Sequence, residues 1–398
     1  MCLFRFNDTK RKENLDLTPN PSISFFIMLE AGRFSAPISE VYKYGPTYVD
    51  DRKVAIFKTI LAKRKEVGFD PDRVVTFVKY LPDKLFHIKR KLKPINIQLD
   101  SRFFVYDDAS DIAFTTEHLS CPSPMIYHVN FADGHLFGFY ANSLFAQDEI
   151  QTLEIPDLAA IKEAAVEYSH ERDASSKYGD VSPRTKKRPS FVPYVSPVYQ
   201  NISPCICLNV RREVSIDTGA RRDIPSGLYG NRFHLTPVPK VLSACSFHPF
   251  GSPTAHTANI IAMAGIGYGH GMYREDQIAS MFMIALTSFS GACTETKLAL
   301  ASHDDTEDKD SIRPCTVIHT GAWGCGAFGG NLFLMTLIQL FAASLSGVNV
   351  IVLHSDRSYK TAIEHFDKLL KKEDIWTVEK VIKYLYKLKC RWGVSNGT

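Results

Sequence analysis

Residues 319–331 read HTGAWGCGAFGGN, and the fold turns on this stretch. A β-like run, Cys315 to His319, leads into it, and an apolar helical run, LFLMTLIQLFAASL, follows it. Glycines at 321, 324, 326, 329 and 330 let the backbone approach a ligand closely and take positive φ. Their N–H groups, together with the N-terminus of the following helix, form a cradle suited to an anion such as a diphosphate. No GK[ST] follows, so the stretch is not a Walker loop, and GCGAFGG fits GxGxxG only loosely. The plainer alternative is a tight strand-to-helix turn; the density of glycines, interleaved with Trp323 and Phe328, weighs against it.

Outward from this loop, strand-like and helix-like runs alternate. Strands are expected at 125–132, 206–210, 241–247, 259–266, 315–319 and 348–354. Helices are expected at 156–172, 275–286, 331–345, 360–371 and 378–387. Such alternation predicts an α/β protein, a mixed sheet with helices on both faces, with ligands bound where strands end. Before residue 95 the texture differs. Residues 1 to about 45 read as irregular. Asp50 and Asp51 cap an expected helix carrying Ile56 and Ile60, and Asp70-Pro71-Asp72 opens a second one over Val74 to Leu81. Residues 1–94 are therefore expected to form an irregular and helical N-terminal extension, and 95–398 the catalytic domain. Residues 173–200, rich in Ser, Pro and charge, read as a loop or insertion.

A chain of 398 residues with 45% hydrophobic content can bury a large core. Its formal charge of +4 is spread over small basic clusters (10–12, 89–93, 184–188), which read as solvated surface and argue against a nucleic-acid protein. The nine cysteines contain no CxxC pair, so neither a zinc site nor a disulfide framework is expected. Cys205 and Cys207 share one face of a strand. No run approaches 18 consecutive apolar residues, and Ser22 to Leu29 lacks the frame of a secretory signal, which gives a cytoplasmic expectation with no membrane partner. HExxH and GxSxG are absent from the sequence, so metalloprotease and hydrolase-elbow readings have no support, and no metal or cofactor is expected.

TGAWGCGAFGG resembles the diphosphate loop of the poly(ADP-ribose) glycohydrolase branch of macrodomains, which typically reads TGNWGCGAFGG. A second block can be compared with the same family, whose strand ends DFAN and leads to a triple glycine, a spacer and a Gln-Glu-Glu trio. This chain has Asn130-Phe131-Ala132-Asp133, then Phe137-Gly138-Phe139, the spacer YANSLFA, and Gln147-Asp148-Glu149. The resemblance covers roughly residues 95–360 and implies a macrodomain-type fold that binds ADP-ribose. Phe-Gly-Phe in place of three glycines makes the loop toward the distal ribose bulkier, Asp133 replaces an asparagine, and Asp148 is one methylene shorter than the family's glutamate. These departures put polymer cleavage in doubt and fit the divergent MavL-like class, which acts on mono-ADP-ribosylated arginine.

The activity implied is removal of mono-ADP-ribose from a modified protein side chain, preferably arginine, by cleavage at C1″ of the distal ribose. Alternatives are a poly(ADP-ribose) glycohydrolase and a non-catalytic reader of ADP-ribose. Such cleavage wants one carboxyl group to manage the leaving group and another to orient or activate water. By resemblance Glu149 is the main acid/base, Asp148 its positioning partner, and Gln147 orders the loop; taken alone, the trio reads better as an ordinary helix start, and the matched spacing reverses that. Ligand contacts are expected from Asp133, Phe137, Gly138, Phe139 and Gln147 on one side. Gly321, Trp323, Gly324, Cys325, Gly326, Ala327, Phe328 and Gly329 are expected on the other. A third loop, GIGYGHGMYRED over 265–276, offers Asp276 or Glu275 as a further carboxylate near a cationic leaving group, although both also suit helix capping. His270 and Tyr273 are weaker candidates. Phe103, Phe104, Tyr106 and His354-Ser355-Asp356 are possible adenosine contacts, for which core or capping roles rank higher. The acidic run 304–310 reads as a solvated loop.

Overall fold

The computed structural model describes residues 29–82, 85–102, 124–176, 202–251, 257–302, 314–354 and 358–397. Phe103, Phe104, Tyr106, Ser355, Asp356 and the 304–310 run lie outside the described residues.

One sheet of eight strands organises the chain. Its strands are β1 (Leu29–Pro37), β2 (Val74–Leu81), β4 (Asn96–Asp100), β5 (Met125–Asn130), β6 (Cys205–Arg211), β9 (Thr257–Ala262), β10 (Thr316–Gly321) and β11 (Val350–His354). The spatial order is β1-β2-β6-β9-β5-β10-β11-β4. From β9 to β4 all neighbours are parallel, while β6, β2 and β1 add antiparallel pairings at the other end. Every residue of β10 and β11 is buried, as expected for strands covered on both faces. Two small ribbons complete the β structure, β3 (Lys89–Lys91) with β12 (Ile375–Thr377) and β7 (Val214–Ile216) with β8 (Cys245–Phe247).

The helices are α1 (Ile38–Val41), α2 (Asp51–Val67), α3 (Gln147–Glu154), α4 (Pro156–Ser176), α5 (Val238–Ser243), α6 (Glu275–Ser302), α7 (Leu332–Ser346), α8 (Lys360–Leu370) and α9 (Val378–Lys387). α6 is long and apolar enough to cross a membrane, but 89% of its apolar window is buried inside the protein. It packs on α7 and against the sheet, which makes it a core helix. α7 begins where the glycine loop ends: Asn331 caps it by accepting from Leu334 N at 3.0 Å, and Gly347 closes it with φ 87°.

Three expectations change. Residues 74–81 form a strand, not a helix. The β-branched run Val74-Val75-Thr76 and the alternating burial of β2 outweigh the Asp-Pro-Asp opening signal, and the strand gains partners on both sides in β1 and β6. Among the described residues, 29–94 are accordingly not set apart from the rest: β1 and β2 are strands of the main sheet, and the boundary expected at residue 94 falls within it. Ion pairs reinforce this join, with Arg73 on Asp157 at 2.7 Å and Arg64 on Glu213. Finally, 241–247 is the end of a short helix followed by the three-residue β8, because Pro237 and Pro239 open a helical turn there.

Candidate active site

The parallel strands β5, β9, β10 and β11 all deliver their C-terminal ends to one edge, where the loops after them converge. A cleft opens there, with about 740 Å³ of space including its open mouth. Its wall on one side is Phe131, Ala132, Asp133, Phe139, Leu144, Ala146, Gln147, Asp148 and Glu149. Facing them are Trp323, Gly324, Gly326, Ala327 and Phe328, with Tyr229 and Tyr268 at the sides. The two blocks singled out in the sequence, some 180 residues apart, thus meet across one cleft.

The acid side is built by α3. Gln147 works as an extension of β5: its Oε1 accepts from Phe131 N at 2.6 Å and its Nε2 donates to Val129 O at 3.0 Å. That two-point hold fixes the first turn of α3 to the end of the strand. Asp148 comes next, fully enclosed, with Oδ1 accepting from Asn130 Nδ2 at 3.0 Å. Glu149 reaches back so that Oε2 accepts from Ala146 N at 2.9 Å, the reciprocal half of a capping box on a residue with no side-chain acceptor of its own. The helix-start role and the placement in the cleft are therefore not exclusive.

Burial dominates the protonation of this pair. Desolvation raises the Asp148 carboxyl well above its ordinary value, and the neighbouring Glu149 charge adds to the rise. Burial raises Glu149 too, opposed by the positive charge of Lys53. Each buried carboxyl, once ionised, disfavours ionisation of the other, so the pair holds a proton to higher pH than a single exposed acid would. Asp133, half-exposed at the mouth, accepts from His135 N at 3.0 Å.

The loop before α3 carries a residue in an unusual conformation. Phe137 has φ 49°, in the left-handed region, and its ring is fully buried. The backbone here takes a conformation that favours glycine while the ring fills the core, at a cost of about 1–2 kcal/mol for the L-residue. Gly138 is exposed, and neither residue lines the cleft; Phe139, exposed at the rim, does.

The glycine side is held mainly by backbone. Trp323 is buried and its Nε1 donates to Met263 O at 3.0 Å, so its indole anchors the loop to the end of β9 as well as lining the cleft. Gly324 has φ 73°, and a Cβ at Gly330 would lie 2.4 Å from the Gly324 carbonyl oxygen; glycine is required at both. Gly321, Cys325 and Gly329 support the loop from behind and do not line the cleft. The third loop docks here: Tyr268 N donates to Phe328 O at 3.1 Å, and the two rings stand 5.9 Å apart.

Asp276 is placed elsewhere. It is exposed, pairs with Arg274 at 3.0 Å and is not among the cleft residues; Glu275 shares the first turn of α6 with it. Its carboxyl is lowered by the Arg274 hydrogen bond. Tyr273 packs inward, stacked on Trp392 at 4.2 Å with its hydroxyl accepting from Asn331 N, and His270 is not among the lining residues. Beneath the cleft, His128, His319 and His354 form a row, with His319 Nδ1 and His354 Nε2 2.8 Å apart. Burial lowers His128 and takes His319 to about 3, so both stay neutral.

Sequence reasoning missed Tyr229, which carries no motif, and did not single out Phe131 and Leu144 within the second block as cleft residues. It also missed a strap. The C-terminal segment crosses the glycine loop, with Ser395 Oγ donating to Ala327 O at 2.6 Å and Asn396 N to Gly326 O at 3.3 Å. Asn331 Nδ2 donates to Arg391 O at 2.9 Å, tying the same segment to the cap of α7. Among the described residues, no group of His, Cys, Asp or Glu is arranged to hold a metal.

The fold is mixed α/β, one large mixed sheet with helices packed on it. Residues 248–361 match a family model described as poly(ADP-ribose) glycohydrolase, macro domain fold. The matched stretch includes the glycine loop and the third loop; the acid turn at 147–149 lies outside it. No curated protein matches the sequence. Similar solved structures include a poly(ADP-ribose) glycohydrolase from Thermomonospora curvata, at 14% identity and TM-score 0.37, with 81% of this chain and 99% of that one covered. Another is the enzyme from Deinococcus radiodurans in complex with ADP-ribose, at 10% identity and TM-score 0.34, covering 84% and 97%.

Proposed function

We propose that this protein is a hydrolase that removes mono-ADP-ribose from modified arginine side chains. The observation that carries the reading is the set of lining residues. Three carboxyl side chains, Asp133, Asp148 and Glu149, line the same cleft as a glycine-rich anion cradle, and among the described residues no Lys or Arg lines it. A diphosphate suits the cradle. A carboxylate-rich end suits a cationic guanidinium, which it attracts more strongly in a partly dehydrated cleft than in water.

The chemistry follows from the shared proton. The C1″–N bond breaks with its electron pair going to the guanidine, which recovers a proton from the Asp148–Glu149 pair. Water adds its oxygen to C1″ and returns a proton to the pair, restoring its charge. Glu149, on the side of Lys53, is assigned the proton transfer, and Asp148, held by Asn130, the partner that keeps one proton in the pair.

A second reading is cleavage of ADP-ribose polymer, favoured by the family match over 248–361. The test is release of free ADP-ribose from synthetic peptides modified at Arg, Ser or Glu/Asp, and from polymer. Release from the Arg peptide, with the other substrates at least about tenfold slower, supports the proposal. Polymer as the preferred substrate replaces it with the second reading, and tight binding without release from any substrate leaves a reader.

A further inference from the structure

α2 contributes a lysine to the protein interior whose placement neither the sequence motifs nor the acid chemistry accounts for. Lys53 sits on the buried face of the helix with Ile56 and Ile60, and it is 0% exposed. Its Nζ donates to Tyr140 O at 2.9 Å and to Leu144 O at 2.7 Å. These two carbonyls mark the ends of the short loop 140–144 that joins Phe139 at the rim to the first turn of α3. The start of the same helix grips the middle of that loop, since Val49 N and Asp50 N both donate to Ala141 O, at 2.9 and 3.0 Å. Thr47 N donates to the Tyr140 hydroxyl at 3.0 Å, and the Tyr48 and Tyr140 rings meet edge-on at 5.4 Å. Residues 47–53 thus clamp the loop along its length, and the ammonium closes it.

We propose that Lys53 is a positioning residue for the acid pair: its ammonium ties both ends of loop 140–144 and thereby sets the place of Glu149 in the cleft. The reaction it serves is the one proposed above. A buried ammonium is a costly way to satisfy two carbonyls, which a neutral donor would also serve. The charged groups around Lys53 give it a further use. Asp50 on its own helix and Asp148 and Glu149 on α3 all act on it, and Asp133 acts on Glu149 from the loop after β5, while the Phe145 ring lies 5.8 Å from Nζ. Burial lowers Lys53 to about 8, against the pull of Glu149, so it carries its charge at neutral pH. That charge in turn favours the ionised form of Glu149.

The variants Lys53→Met and Lys53→Gln separate tether from charge, with Lys58→Met on the exposed face of α2 as the control. Circular dichroism and Tm establish that each is folded, and the glutamine, which keeps one donor, serves if the methionine variant is not. Amide exchange over 140–149 in the ligand-free protein is read first, since it needs no substrate. It is expected to speed up about tenfold or more in Lys53→Met and less in Lys53→Gln, with no change in Lys58→Met. Turnover on the Arg-linked peptide is then expected to fall about 30-fold in kcat with KM within about threefold. Because removing the positive charge raises Glu149 further, the acid limb of the pH profile should move to higher pH in both neutral variants. Unchanged exchange over 140–149 in a folded Lys53→Met overturns the proposal. So does wild-type kcat with an unmoved acid limb in folded variants, which would leave Lys53 a structural residue. If the wild-type protein releases ADP-ribose from no substrate, the functional reading fails alone and the exchange result still decides the role of Lys53.

Discussion

The two walls of the cleft are built in different ways. The glycine wall is a continuous stretch whose shape is dictated by its own backbone: Gly324 at φ 73°, Gly330 against the Gly324 carbonyl, and the cap of α7 directly after it. The acid wall is three residues on one helical turn whose shape is dictated by side chains from elsewhere. Gln147 grips β5, Asn130 holds Asp148, and Lys53 closes the loop from α2. A wall made of backbone is specified where it stands and tolerates little substitution. A wall made of buried polar contacts is adjustable, and its protonation depends on what surrounds it.

That contrast is open to tests of decreasing size. Gly330→Ala attacks the backbone wall: the added Cβ has nowhere to go without moving the Gly324 carbonyl, so ADP-ribose affinity by calorimetry should fall at least about 30-fold, while the acid wall keeps its pH behaviour. Affinity within twofold of wild type would show that the loop's shape is not set by its glycines.

Asp148→Asn attacks the acid wall and should stabilise the fold while impairing turnover. The sign follows from the raised carboxyl of Asp148. A folded-state value above the unfolded one gives stability that is fully present below the unfolded value and is lost as pH rises through the folded one. The amide cannot ionise, so its Tm should match wild type near pH 4 and exceed it by about 2 °C or more at pH 8. A variant less stable than wild type at pH 8 would mean that the ionised acid is well accommodated.

Asp276→Asn should do least. The exposed pair with Arg274 is screened by solvent, and the residue stands apart from the cleft lining, so turnover should stay within about twofold. A loss of tenfold or more would bring the third loop into the chemistry.

The difference between the walls also explains what was legible in the sequence. The glycine loop could be read because its requirement is local: a strand, dense glycines and an apolar helix in immediate succession. The acid turn could be located by its spacing from Phe-Gly-Phe, and its helix start was equally visible. Its support was not, because Lys53 lies on what reads as a detached N-terminal helix, and residues 74–81 read as another helix through a Pro-flanked opening. Its β-branched run favours a strand, and pairing with β1 and β6, which is non-local information, fixes it as one. The same reason hid the C-terminal strap over Gly326 and Ala327, whose residues carry no motif. Asp276 shows the converse. Its loop reaches the cleft through Tyr268, but the helix start it belongs to turns its carboxylate outward to Arg274.

The most direct measurement of the central claim is the split between turnover and binding in Glu149→Gln, read as ADP-ribose release from the Arg-linked peptide and ADP-ribose affinity by calorimetry. If the acid pair does the hydrolysis, release falls about 1000-fold while affinity stays within about threefold. Release that persists at a wild-type rate, or affinity that collapses with it, would contradict the assignment of Glu149 as the group that moves the proton.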